Sequence, residues 1–260
     1  MKEKSIIVMV PLNISHYYET GKEDKNLQEF GNHLNREKND EEWICNRIKI
    51  FMNYTLKSLK LQTNQHFKAL VVYSEATKEL VLQELNKYDP LPSNIKFIEF
   101  SLLEDEIKKT IKKSKYFYFV RTDSDDMYHK TYIQRMQDYT PEKYTTALIN
   151  PYGYLYDSTN NKLAKCKARV TSCYTLIFNS KDYLEGKTYN VVTDQIDSQM
   201  WFAWSYFPRE ILMGRNYVWH VHSKNTITNF EQWFTDTWVE ELKDITTDEA
   251  EIEKVLKDYI

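Results

Sequence analysis

Three carboxylates that could together hold a cation stand near the middle of the chain, at Asp123, Asp125 and Asp126. They directly follow an apolar, aromatic-rich run, Tyr116–Val120, which has the composition of a buried strand. In an open α/β sheet, ligands bind outside the carboxyl ends of the strands, so the acids are expected at such a crevice. Like charges about 4 Å apart repel by about 4 kcal/mol at an effective dielectric constant of 20. The cluster therefore predicts a bound cation, and Mg²⁺ or Mn²⁺ bridging to phosphate is the usual occupant of an oxygen-only site.

The elements that must position these acids alternate between strand and helix in the first half of the chain. This alternation at short spacing predicts a parallel sheet with right-handed crossovers, whose fourth strand carries the acids. The predicted strands are Ser5–Val10, Lys68–Tyr73, Ile95–Phe100 and Tyr116–Val120, and the predicted helices are Trp43–Leu61, Thr77–Tyr88 and Leu103–Lys113.

The second half is richer in strands. After a helix at His129–Tyr139, strands are predicted at Thr145–Asn150, Tyr152–Asp157, Lys162–Lys167, Cys173–Asn179 and Tyr217–His222, with a hairpin turn at Ser158–Asn161. Further helices are predicted at Asp194–Phe207, Phe230–Leu242 and Asp248–Asp258, and Thr246 with Glu249 fits a capping box for the last of them. Because no linker divides the chain, residues 1–260 are expected to form one α/β domain.

Bulk composition excludes several classes of protein. The 260 residues carry a net charge of −3, so no basic field points to nucleic acid. The three cysteines have no metal-ligand spacing, which fits reduced thiols in the cytoplasm. No segment approaches the roughly 20 apolar residues of a membrane span, although peripheral membrane contact is left open.

At this point the chain resembles glycosyltransferases of the GT-A fold, in particular family 2-like enzymes and the group named putative rhamnosyltransferases. The segments that carry the resemblance are Val8–Pro11, Asn46 with Arg47, Thr55–Gln62, Phe67–Val72 and Phe119–Asp126. It implies a GT-A-like fold: a Rossmann-like mixed sheet flanked by helices, with a β-rich acceptor region and C-terminal helices. Residues 1–140 would then bind the nucleotide sugar, and residues 141–260 the acceptor.

The same resemblance implies a hexosyltransferase-type reaction with a nucleotide-sugar donor and Mn²⁺ or Mg²⁺. Asp125 would bind the metal, and Asp123 would reach the metal or the ribose. Asp126 would either join this site or cap the following helix, and Arg121 would either pair with donor phosphate or neutralise the acids. The residues expected around the donor are Pro11, Asn13, Arg47, Ser74, Arg121, Asp123 and Lys224.

Two histidines, His220 and His222, alternate on an apparent strand, so both rings face the same side. By itself this pattern favours a hydrogen-bonded core histidine. Enzymes that the chain resembles often use a late histidine as a further metal ligand, and His222 at the strand's end is then the candidate. Both interpretations stay open.

A transfer with inversion needs a carboxylate that takes the proton of the acceptor hydroxyl. Asp197, just ahead of an aromatic helix, matches the position of such an acid in the enzymes that the chain resembles, and Asp194 is the second choice. Either could instead be the N-cap of that helix. Tyr152, Tyr154 and Tyr156 share one strand face and could stack on an acceptor sugar or lie beneath the C-terminal helices.

The acceptor would be a glycan, a lipid-linked molecule or a protein. Two other functions remain open: a non-catalytic nucleotide- or carbohydrate-binding module that lacks a base, and a sugar nucleotidyltransferase. The second normally has a glycine-rich loop after the first strand, where this chain has Pro11, Leu12 and Asn13.

Overall fold

The computed structural model describes residues 2–14, 39–192, 203–223, 225, 230 and 239–260. Twelve strands form two sheets within these residues. The strands are β1 (Lys2–Pro11), β2 (Lys68–Tyr73), β3 (Ile95–Glu99), β4 (Ser114–Arg121), β5 (Met127–Tyr128), β6 (Ala147–Ile149), β7 (Tyr152–Asp157), β8 (Lys162–Ala168), β9 (Tyr174–Asn179), β10 (Arg209–Ile211), β11 (Tyr217–Val221) and β12 (Val239–Thr246).

Seven α-helices that lie wholly within the described residues accompany these sheets. They are α1 (Glu41–Asn53), α2 (Thr55–Leu61), α3 (Lys78–Leu85), α4 (Leu103–Ile111), α5 (Tyr132–Asp138), α6 (Ser180–Leu184) and α7 (Glu249–Leu256).

The larger sheet has the strand order β10-β6-β9-β4-β1-β2-β3. The strands β4, β1, β2 and β3 run parallel to one another, while β9 is antiparallel to both β4 and β6. Strands from the second half of the chain thus extend the parallel sheet of the first half. The predicted α/β fold, a GT-A-like mixed sheet flanked by helices, is confirmed.

Both faces of the larger sheet are buried. Along β4, Tyr118 and Val120 join one hydrophobic cluster with α1 and α2, while Phe117 and Phe119 join a second cluster with α4 on the opposite face. Burial on both faces is what a central strand of a layered α/β protein requires, and it explains the continuous apolar run in the sequence.

The smaller sheet has the order β12-β8-β7-β11-β5. The predicted hairpin is confirmed, since β7 and β8 pair antiparallel around the turn. Tyr154 and Tyr156 pack on a cluster that includes Ile252, Leu256 and Tyr259 from the chain's C-terminal end. These two tyrosines therefore lie beneath the terminal helix, the second of the two alternatives.

Three predicted elements were wrong. The single helix Trp43–Leu61 is two helices, because the backbone leaves the helical conformation at Tyr54 (φ −123°, ψ −74°). A helix was predicted over Phe230–Leu242, but Val239 and Leu242 belong to the strand β12, which pairs with β8.

The N-cap of α7 is Asp248, which accepts a hydrogen bond from Glu251 N, so the Thr246 capping box does not form. The helix predicted at Asp194–Phe207 lies mostly outside the described residues.

Candidate active site

The acidic cluster lies at the carboxyl end of β4, the strand next to β1 in the larger sheet. The chain turns there: Asp126 N donates to Asp123 O (3.3 Å), and Thr122 N donates to Met9 O of β1 (3.3 Å). The short strand β5 follows and pairs with β11 of the smaller sheet. The acids therefore lie at the carboxyl end of the fourth strand, as predicted, and this strand end is also where the two sheets meet.

Asp125 is the centre of a buried charged triad with Arg47 and His222. Its Oδ2 atom lies 2.6 Å from Arg47 Nη1 and 3.2 Å from His222 Nε2. All three side chains are at least 86% buried, with exposed fractions of 9%, 14% and 7% for Asp125, Arg47 and His222. The structure thus brings together three sequence-predicted site residues that are far apart in the chain.

The electrostatics of the triad follow from this contact. Burial alone would raise the pKa of Asp125, but the charge of Arg47, followed by the hydrogen bond and the charge of His222, brings it below its ordinary value. Asp125 is therefore an ionised carboxylate inside the protein, with a compensating positive charge in direct contact.

Asp126 has a different environment from its neighbour. Its carboxyl group accepts hydrogen bonds from His220 N (3.1 Å) and from Ser172 Oγ (3.1 Å). Burial, and then the charges of Asp125 and Asp123, raise its pKa well above the ordinary value. It does not cap the following helix, whose N-cap is Thr131. Asp126 instead joins the acidic turn to the strand that carries the histidines.

Asp123, the most exposed acid of the cluster, is 40% exposed and lies 2.7 Å from Arg121 Nη1. Two roles were predicted for Arg121, and this contact corresponds to the neutralisation of an acid. Among the residues that the structure describes, no group of three or more His, Cys, Asp or Glu side chains is arranged to hold a metal ion. What converges is the pair of Asp125 and His222.

Three of the residues expected around the donor, Pro11, Asn13 and Ser74, lie at the ends of β1 and β2. Pro11 is the last residue of β1, in register with Val72 of β2. Asn13 Oδ1 accepts from Ser74 N (3.0 Å), and Asn13 Nδ2 donates to Thr77 Oγ1 (2.9 Å) and Asn39 Oδ1 (3.3 Å). Asn13 thus holds the two strand ends together at the edge of the sheet where the acids lie.

Two supporting residues on α2, Ser58 and Gln62, had no role in the sequence analysis beyond the resemblance. Ser58 Oγ accepts from Tyr128 N (2.7 Å) and donates to Tyr128 O (2.9 Å). Gln62 donates to His129 O (3.0 Å) and accepts from Ile133 N (3.0 Å). Both side chains are buried, and together they hold the chain that leaves the acidic turn. One indication of this role was present in the sequence: Ser58 and Gln62 are polar residues on a helix face that also carries the apolar Leu59.

The histidines of β11 have different partners. His222, one residue after the strand, contacts Asp125, whereas the ring of His220 packs at a tilt against Tyr54 (3.9 Å between centroids) and His220 Nε2 lies 2.8 Å from Ser158 Oγ. Burial, then the charge of His222, lowers the pKa of His220 to about 4. His220 is therefore a neutral core residue near pH 7, and it packs on the residue where α1 ends and α2 begins.

A pocket of 360 Å³ opens beside the triad, between α1 and the segment after β11. Arg47 and His222 contribute to its wall. The other lining residues are Asp40, Glu42, Trp43, Asn46, Ile50, Ser223 and Asn225. Three sequence-predicted residues, Asp194, Asp197 and Lys224, lie outside the described residues.

Comparison with models of protein families shows the family of the chain. The family described as "Putative rhamnosyl transferase" matches residues 17–172, which is more than half of the chain and includes Arg47 and the whole acidic cluster. The chain belongs to this family. The resemblance inferred from the sequence, to a family of glycosyltransferases, is thereby confirmed. No curated protein matches the chain.

Several solved structures are similar to this family member. S. aureus TarS 1–349 in complex with UDP-GlcNAc is 13% identical with a TM-score of 0.40, and the match covers 86% of this chain. The chain spans only 60% of that TarS structure. The synthase of 4-diphosphocytidyl-2C-methyl-D-erythritol from Anaerococcus prevotii is 14% identical with a TM-score of 0.33, over 97% of this chain and 94% of its own. HddC from Yersinia pseudotuberculosis is 8% identical with a TM-score of 0.35, over 82% and 92%.

Two properties of the described residues complete the description of this family member. No helix among them has both the length and the apolar character needed to cross a bilayer. Cys45, Cys166 and Cys173 carry free thiols.

Proposed function

We propose that this protein transfers a sugar from a nucleotide-sugar donor to a hydroxyl group of a glycan, a lipid-linked molecule or a protein, with inversion at the anomeric carbon. The observation that carries the proposal is the buried contact of Asp125 with Arg47 and His222 at the carboxyl end of β4. A family of sugar transferases and a charged site at the strand ends together support this reaction. A cytoplasmic location stays a prediction.

The donor would lie across the ends of β1, β2 and β4. Its nucleoside would rest on Pro11, Asn13 and Ser74, which are adjacent through the hydrogen bonds of Asn13. The diphosphate carries negative charge, and a buried guanidinium such as that of Arg47 is a suitable partner, since arginine binds phosphate oxygens through two parallel hydrogen bonds. Asp123 is exposed enough to reach the ribose or a metal, and Lys224 is proposed to meet the diphosphate.

We propose Asp125, His222 and Asp123 as the ligands of a divalent cation, Mn²⁺ or Mg²⁺. Asp125 Oδ2 and His222 Nε2 lie 3.2 Å apart. Two neighbouring ligands of an octahedral ion with bonds of about 2.1 Å are about 3 Å apart, so this pair fits such an ion. Carboxylate oxygens are the donors that Mn²⁺ and Mg²⁺ prefer, and His222 would add one imidazole nitrogen to them. When bound, the cation would offset the negative charge that grows on the departing diphosphate.

The base that takes the acceptor's proton is proposed to be Asp197, with Asp194 as the second candidate. A carboxylate within hydrogen-bond distance of the attacking hydroxyl takes its proton as the bond to the anomeric carbon forms. Only one of the two acids is needed for this role, and the other is then available to cap the helix predicted in that segment.

The test is incubation of the purified protein with a panel of nucleotide sugars and MnCl₂, with donor consumption and free nucleoside diphosphate as readouts. Asp125→Asn should abolish consumption, while Asp105→Asn, which removes an exposed acid from α4, should leave it unchanged. Full activity of Asp125→Asn would refute the assignment of the site. Nucleotide binding without turnover would favour a binding module, and pyrophosphate release from a nucleoside triphosphate with a sugar phosphate would identify a nucleotidyltransferase.

A further inference from the structure

The triad contains two positively chargeable groups at a single carboxylate oxygen. Arg47 Nη1 and His222 Nε2 both contact Oδ2 of Asp125, at 2.6 Å and 3.2 Å. A divalent cation that used Asp125 Oδ2 and His222 Nε2 would have to lie about 2.1 Å from each of them. It would then stand next to the guanidinium of Arg47, and the two like charges would repel each other strongly in a buried setting. Arg47 in its present position therefore competes with a cation for Asp125.

Arg47 and Asp125 attract each other through their opposite charges, but the geometry of their contact is poor for a hydrogen bond. Although Nη1 lies 2.6 Å from Oδ2, this buried nitrogen has no partner of hydrogen-bond geometry among the described residues. A guanidinium presents five N–H groups in a planar fork that fits two oxygens of one anion. An anion that offered two correctly placed oxygens would satisfy Arg47 better than Asp125 does.

Space for such an anion lies next to the arginine. Arg47 and His222 line the pocket of 360 Å³, together with neutral donors from Asn46, Ser223 and Asn225. Two acids are also present in the lining. Asp40 is already engaged as the N-cap of α1, accepting from Glu42 N and Trp43 N, and Glu42 is exposed. The inner part of the pocket thus presents positive charge and hydrogen-bond donors to an entering anion.

We propose that Arg47 exchanges partners during the binding of the donor. It pairs with Asp125 in the free protein, then moves to the diphosphate and releases Asp125 to the divalent cation. This inference rests on the proposed function. It assigns Arg47 two opposite effects: Arg47 weakens the binding of the cation alone, because it occupies the cation's ligand, and it strengthens the binding of the diphosphate. A residue that only supported the fold would change both affinities in the same direction.

The experiment measures both affinities by isothermal titration calorimetry on the full chain. MnCl₂ alone is titrated first, and uridine diphosphate is then titrated into protein saturated with Mn²⁺. Arg47→Gln should bind Mn²⁺ at least tenfold more tightly than the wild type and uridine diphosphate at least tenfold more weakly. Arg47→Met should give the same pair of changes, and it replaces Arg47→Gln if that variant does not fold.

The matched control is Lys49→Gln, which removes one positive charge from an exposed position of the same helix. Both of its affinities should stay within twofold of the wild type. Asp125→Asn should weaken Mn²⁺ binding if Asp125 is a metal ligand. If it does so but the Arg47 variants bind Mn²⁺ no more tightly than the wild type, the exchange of partners is refuted and the assignment of the metal site is supported. If no Mn²⁺ binding depends on Asp125, the metal assignment fails and the exchange fails with it.

Discussion

The carboxyl group of Asp126 accepts a hydrogen bond from the backbone N–H of His220 at 3.1 Å. This one bond joins the acidic turn after β4, in the larger sheet, to β11 of the smaller sheet. It holds the two segments in register, so that the neighbours of these residues, Asp125 and His222, meet at 3.2 Å. Asp126 is therefore a positioning residue for the pair that we assign to the cation.

Asp126→Ala is expected to destabilise the protein by about 2 kcal/mol, because the buried donors of His220 N and Ser172 Oγ lose their acceptor. Asp126→Asn should cost at least about 1 kcal/mol less, since its amide oxygen can accept one of these bonds. The neutral amide also resembles the protonated form that burial favours at this position. Urea denaturation of the two variants measures the difference, and equal losses would contradict the role of the hydrogen bonds.

The two candidate bases make different predictions for activity. If Asp197 takes the proton of the acceptor, Asp197→Asn should lower the transfer rate by about 10²- to 10⁴-fold, while Asp194→Asn should change it little. Nucleotide affinity should be unchanged in both variants, because neither acid is assigned to the donor. The comparison of transfer rate with nucleotide affinity is the measurement. The reverse pattern would assign the base to Asp194, and two unaffected variants would show that the base lies elsewhere.

Ser58 is expected to matter for stability although it touches no proposed ligand. Ser58→Ala leaves the buried N–H and C=O of Tyr128 without the hydroxyl that they share, which should cost about 2 kcal/mol. Ser101→Ala is the matched control, because Ser101 is exposed and its loss should cost less than about 0.5 kcal/mol. Chemical denaturation of both variants tests this, and similar costs would show that the hydroxyl of Ser58 contributes nothing special.

Gly153 has no room for a side chain. A Cβ atom at this position would lie 2.5 Å from ring carbons of Tyr217, which is fully buried on β11. Gly153→Ala should therefore destabilise the protein by about 1 to 3 kcal/mol through overpacking. The cost should be smaller when Tyr217 is also changed to Leu, because the smaller side chain relieves the clash. A double-mutant cycle measures this coupling, and strictly additive effects would argue against a direct clash.

Acid sensitivity should depend on Glu106, far from the proposed site. Its hydrogen bond with Lys68 is the largest influence on its pKa, which falls from 4.5 to about 2. A carboxyl group whose pKa is lower in the folded state stabilises the protein above its ordinary pKa and loses that contribution as the pH falls. Glu106→Gln should thus cost about 1 kcal/mol at pH 7, and the cost should shrink as the pH falls from about 4.5 towards 2. Denaturation curves at pH 7 and pH 3 measure this difference, and a cost that does not depend on pH would contradict it.

Local sequence patterns determined the central part of the fold. β2 begins and ends at the predicted residues, and β4 with its acids at the carboxyl end was placed correctly. These strands are buried on both faces, so their composition alone distinguishes them from their neighbours. The prediction for the residues of β12 was wrong, because their composition does not distinguish a strand from a helix. These residues alternate poorly between apolar and polar, and their strand conformation comes from pairing with β8, a contact that no local pattern contains.

For the site, the sequence determined which residues could do chemistry: a cluster of acids after a buried strand, a late histidine pair and an arginine on the first helix. The tertiary structure decided which of them meet. Asp125, Arg47 and His222 are brought together because the turn after β4, the helix α1 and the end of β11 converge where the two sheets join. It also gave Asp125 and Asp126 different surroundings, since Asp125 faces the guanidinium of Arg47 and the imidazole of His222, while Asp126 faces a backbone N–H and a serine hydroxyl. Charge and burial at a site are sums over segments that are distant in the chain, so neighbouring residues of the same type acquire different chemistry only when the fold places those segments around them.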